Sequence, residues 1–69
     1  MSELVFLVED APEGGFTARS LGESIFTEAE DWEGLKRNIL EAVGCHFEGR
    51  SGAPAVVRLH WVRDEVLAV

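Results

Sequence analysis

The sequence predicts an α+β domain of order β-β-β-α-β, with a four-stranded mixed sheet in spatial order 3-2-1-4 and one helix packed on one face. Three observations point there. Glu3–Asp10 is a continuous apolar run with acidic ends, as in a strand flanked on both sides. Two alternating segments follow it, separated by glycine-containing turns. A single amphipathic stretch then precedes a last β-rich segment, and a helix between strands implies a right-handed crossover.

The first strand is "ELVFLVED". Leu4, Phe6 and Val8 make one face, and Val5 and Leu7 make the other between Glu3 and Glu9. The next five residues, Ala11 to Gly15, hold Pro12, which cannot donate to a ladder, and Gly14-Gly15, which reach positive φ cheaply. This is a hairpin loop longer than the two-residue kind. "FTARS" is the second strand, with Phe16, Ala18 and Ser20 on one side and Thr17 and Arg19 on the other. Leu21-Gly22-Glu23 turns the chain, and Ser24 to Ala29 is the third strand.

Asp31 is the N-cap candidate of the helix, and Glu33 lies in the first turn, where the dipole favours negative charge. Trp32, Leu35, Ile39, Ala42, Val43 and His46 recur at helical spacing as one apolar stripe. Gly49 is the expected stop, and Glu48 to Pro54 is a loop. Ala55 to Val62 is the fourth strand. After it, Asp64 to Val69 either continues the strand or bends to pair with another chain.

The helix is expected to cover Leu4, Phe6, Val8, Phe16, Ala18, Val57, Leu59 and Trp61. No element is left for the opposite face, which carries Val5, Leu7, Val56 and Val62 among Thr17, Arg19, Arg58 and His60. Glu3 and Glu9 are the carboxylates placed to pair with His60. A mixed face of this kind, together with the apolar tail Val66-Leu67, predicts self-association into a dimer or larger assembly through Val5, Leu7, Val56, Val62, Val66 and Leu67. Size agrees, because a chain of 69 residues is one domain and buries only about 60% of its unfolded surface. Cys45 is the one cysteine, so no disulfide adds support, and it is expected to pack as a small hydrophobe.

Net charge is −7, and it is unevenly spread. Residues 1–33 carry Glu3, Glu9, Asp10, Glu13, Glu23, Glu28, Glu30, Asp31 and Glu33 against Arg19 alone. Such a half repels phosphate backbones and attracts a basic partner, so direct nucleic-acid binding is not expected. The apolar run near the N-terminus is too short to cross a bilayer and carries no basic leader, so a cytoplasmic protein without membrane contact is expected.

The same residues bear on catalysis. A metal-dependent nuclease would need carboxylates from Glu9 or Asp10, Glu33 or Glu41, and Asp64 to converge. Cys45 and His46 are neighbours on a helix and point about 100° apart, a poor nucleophile–base pair. No catalytic group, cofactor or metal is therefore expected.

Phe6 to Val43 resembles the N-terminal domain of HicB-type antitoxins and their small single-domain relatives. The resemblance rests on an apolar strand, the hairpin Glu13-Gly14-Gly15-Phe16, two further strands, a polar cap at Asp31 and an amphipathic helix. Three departures accompany it: Ser20-Leu21-Gly22 replaces a proline-rich segment, the acidic pair early in the helix is reduced to Glu33 with Gly34 beside it, and six residues after Arg63 are too few for the DNA-binding segment of full members. The resemblance implies a partial ribonuclease H-like fold and a non-enzymatic domain that binds a small basic protein such as a HicA-like toxin. Glu9, Asp10, Glu28, Glu30 and Asp31 are the candidate partner-binding residues. The alternative is a stand-alone oligomeric module that binds another protein or a small ligand.

Overall fold

The computed structural model describes residues 2–69. Its elements are β1 (Glu3–Asp10), β2 (Phe16–Ser20), β3 (Phe26–Ala29), α1 (Trp32–His46) and β4 (Val56–Val62). The sheet runs β3-β2-β1-β4, with β1 antiparallel to β2 and parallel to β4, as the sequence predicts. Its registers set Phe6 beside Ser20 and Leu59, and Leu7 beside Arg19 and His60. Because side chains alternate, Leu4, Phe6 and Val8 face the helix while Glu3, Val5, Leu7 and Glu9 face away.

Leu4, Phe6, Val8, Ala18, Ile25, Leu35 and Ile39 form the core. The helix starts where Asp31 leaves extended backbone and its Oδ1 accepts from the Gly34 N–H at 2.6 Å. Gly34 is buried there, and a Cβ on it would lie 2.7 Å from that same oxygen. The absence of a side chain therefore serves the cap, even though glycine weakens a helix intrinsically. At the other end the Phe47 N–H reaches the Val43 carbonyl, and Gly49 turns the chain at φ +73°.

Some expectations need correction. β3 begins at Phe26 rather than Ser24, because the Ser20 hydroxyl donates to the Glu23 carbonyl and closes the turn before the ladder starts. β4 begins at Val56, since the N–H groups of Ala55 and Val56 both donate to the Ser2 carbonyl. Cys45 is exposed; it lies on the helix side of Asn38 and Glu41, not on the stripe of Leu35 and Ile39. Trp61 is 42% exposed rather than a buried anchor. The helix lies over β2 and β3, so Val57 and Leu59 on the edge strand are also only half-buried. Residues 63–69 do not continue β4; they are exposed and lack regular structure.

Candidate functional site: an acidic rim at the hairpin end

One end of the sheet gathers the termini of β1 and β3, the start of β2 and the Ala11–Gly15 hairpin. The hairpin is shaped by two bonds, from the Ala11 N–H to the Gly15 carbonyl and from the Gly14 N–H to the Ala11 carbonyl. Gly15, at φ +83°, rests against β3 so closely that a Cβ would sit 2.5 Å from the Ala29 carbonyl oxygen. Hairpin and third strand thus enclose an open cleft lined by Glu13, Thr17, Glu28 and Glu30.

The register explains the order of carboxylates. Thr17 is flanked by Glu9 on β1 and Glu28 on β3, all three on the face away from the helix. Two strand spacings separate Glu9 from Glu28, about 10 Å, which is close to one screening length in physiological salt. Glu28 is fixed in place because its backbone carbonyl accepts from Asn38 Nδ2 at 2.9 Å. Among the described residues, no cationic side chain forms an ion pair with Glu9, Glu13, Glu28 or Glu30.

The five candidate partner-binding residues therefore separate. Glu9, Glu28 and Glu30 belong to the exposed rim. Asp10 points to the helix side, where its carboxylate meets Arg63 Nε at 3.2 Å. Arg63 also stacks over Trp61, 5.1 Å from the ring centre. Asp31 is committed to its cap. Alternation on β1 puts Glu9 and Asp10 on opposite faces of the sheet. Sequence reading passed over Glu13 as a site residue; its place beside Gly14-Gly15 at the tip of the hairpin was the available signal.

Beneath the rim, on the helix side, Phe16 meets Trp32 and Trp61 edge-on and the two tryptophans pack at a tilt, with ring centres 4.9–5.6 Å apart. These rings brace the ends of β2, α1 and β4 and so hold the rim's backbone in place.

The open face carries Val5, Leu7, Val56 and Val62 as predicted, and also Phe26, which is 63% exposed. Phe26 was missed because Ile25-Phe26 is an apolar pair with no polar neighbour to reveal which residue points inward. Glu3 pairs with Arg58 instead of His60, and no ion pair of His60 occurs among the described residues. Elsewhere, Glu23 Oε1 lies 2.8 Å from His46 Nε2 and ties the β2–β3 turn to the helix end. The carboxylates considered for a nuclease lie apart: Asp10 meets Arg63, Glu33 meets Lys36, and Asp64 is in the exposed tail. Among the described residues, no three His, Cys, Asp or Glu side chains gather closely enough to hold a metal ion. No helix among them is long and apolar enough to cross a membrane.

A Thermotoga maritima protein named UPF0150 protein is 39% identical to this chain over 67 residues, 97% of this chain and 93% of the relative. An Archaeoglobus fulgidus protein of the same name is 53% identical over 45 residues, 65% of this chain and 67% of that one. No protein-family model matches the chain, and no solved structure does.

Proposed function

The chain belongs to the UPF0150 family, and from that premise we propose that it is a non-enzymatic docking domain whose acidic rim binds a small basic protein. One observation carries the reading: Glu9, Glu13, Glu28 and Glu30 surround one end of the sheet without an ion-pair partner among the described residues. Like charges held this close repel one another, and a cationic surface laid across them relieves that repulsion. The rigid strand ends fix their spacing before binding, which lowers the ordering cost of the complex.

The nature of the partner follows from the resemblance to HicB-type antitoxins. In that reading the rim covers the basic, RNA-contacting surface of a HicA-like toxin, and inhibition is occlusion. The protein acts in the cytoplasm. A copy of the same chain covers the open sheet face. Leu7 and Phe26 flank Arg19 in the middle of that face and, with Val5, form the apolar centre of the contact, which leaves the rim carboxylates at its end to the basic partner.

The test is affinity capture from the source cell with the natural chain and with a Glu28→Lys, Glu30→Lys variant. The natural chain is expected to retain a small basic protein, released by moderate salt, and the variant to retain about tenfold less of it. Capture of no small basic protein by the natural chain, or equal capture by both, overturns the reading. Phe26→Glu tests the sheet-face contact, through the sedimenting mass.

A further inference from the structure

Beyond Arg63 the C-terminal segment is exposed throughout and lacks regular structure. Val66 is 93% and Leu67 76% exposed, and the molecule measures 52 Å along one axis against 19 and 17 Å along the others. Its radius of gyration is 13.5 Å, where about 11 Å is usual for a compact chain of this length. A run of four apolar residues held in water is unfavourable, and the same molecule offers a place for it. Beside the helix, Ile39, Leu40, Val57 and Leu59 line an apolar groove with Lys36 at its margin. Leu40 is 64% exposed there. The floor is β4, an edge strand bonded to β1 on one side and unpaired on the other.

We propose that the groove is filled by the C-terminal segment of a second copy of this chain, which adds a strand to the free edge of β4, and that the exchange is reciprocal. In this arrangement the tail extends along the direction of its own β4. A two-fold axis near Arg63 therefore brings it antiparallel to the partner's β4. In that register Leu67 lies beside Leu59 and Val69 beside Val57, so the apolar residues of the tail enter the groove and the edge is paired. Glu65 then lies beside Trp61. That end of the groove is the Lys36 end, because Trp32, one helical turn before Lys36, packs on Trp61. A standard interface removes about 1,600 Å² in all, which two tails and two grooves supply at about 400 Å² each. This contact is separate from the acidic rim and from the open sheet face.

The sedimenting mass of the full chain is compared with that of a chain ending at Arg63. Truncation leaves every strand and the helix intact, and near-ultraviolet signal from Trp32 and Trp61 checks that both chains are folded. The truncated chain is expected to show half the mass of the full chain, and Leu67→Asp the same loss. Leu59→Cys with Leu67→Cys, in a Cys45→Ser background, is expected to give a covalent dimer under mild oxidation, and neither cysteine alone to do so. An unchanged mass after truncation, a full chain that sediments as a monomer, or no covalent dimer from the cysteine pair overturns the proposal. Glu28→Lys with Glu30→Lys leaves the mass unchanged, which separates this contact from partner docking.

Discussion

Glu3 and Arg58 close a two-pronged ion pair across neighbouring parallel strands, with Arg58 Nε 3.0 Å from Glu3 Oε1 and Nη2 2.9 Å from Oε2. The pairing is diagonal, since Val56 is the direct neighbour of Glu3, and Arg58 is that of Val5. It explains why the acidic surface begins at Glu9: the carboxylate at the opposite end of β1 is already neutralised by its own chain. The hydrogen bonds from Arg58 hold the Glu3 carboxyl below its ordinary 4.5; desolvation works against them, and the charge of Arg58 adds to them.

A carboxyl whose value falls on folding stabilises the fold above its unfolded value and loses that contribution as pH drops through the folded one. The unfolding midpoint of the natural chain should therefore exceed that of Glu3→Gln at neutral pH. The gap should close as pH falls below about 4.5. Added salt should narrow it as well, because both groups are on the surface. Equal midpoints at neutral pH, or a gap that persists in acid, would refute the assignment.

Two adjacent glycines should respond differently to alanine. Gly14, at φ +104°, has open space where a Cβ would go, whereas one on Gly15 would strike the Ala29 carbonyl oxygen at 2.5 Å. Gly14→Ala carries only the left-handed backbone cost, about 1–2 kcal/mol. Gly15→Ala adds displacement of β3 and should cost about 2–4 kcal/mol in denaturant unfolding. If the two variants are equally stable, the hairpin does not rest on β3 as described.

The fold was legible because its signals are local. The all-apolar β1 marks an interior strand, and one amphipathic segment between strands leaves a single crossover. The site was legible only in part, because a count of acids carries no direction. Glu9 and Asp10 are equivalent in a charge tally, yet the pleat sends them to opposite faces, and Arg63, 53 positions away from Asp10, neutralises only one. Trp61 was misread for a similar reason. Its alternation correctly puts it on the helix side, but the lateral position of the helix over β2 and β3 is a packing outcome with no period in the sequence.

The Glu23–His46 clasp is another long-range contact without a local signal. Both side chains are about three-quarters buried, at 26% and 21% exposure, and they join the β2–β3 turn to the end of the only helix among the described residues. A double-mutant cycle with Glu23→Ala and His46→Ala should give a coupling of about 0.5–1 kcal/mol. Additive single losses would mean that the two groups stabilise the fold separately, if at all.

The separation of the candidate acids leads to opposite phenotypes within one small region. Asp31 accepts the Gly34 N–H at the helix start, so Asp31→Ala should cost about 1 kcal/mol of stability, with little loss of partner binding once the fold is formed. Asp10→Asn should behave in the same way but more weakly, since its partner Arg63 is exposed and is also held over Trp61. Glu28 and Glu30 have no such intramolecular task for their carboxylates. Their replacement by glutamine should leave the unfolding midpoint unchanged or slightly raised, because repulsion on the rim falls, while capture of the basic partner weakens and becomes less sensitive to salt. Measured on the same four variants, stability and capture should therefore rank them in reverse order. If Asp31→Ala loses the partner while remaining folded, or Glu28→Gln unfolds the chain without affecting capture, the assignment of these carboxylates to cap and rim is wrong.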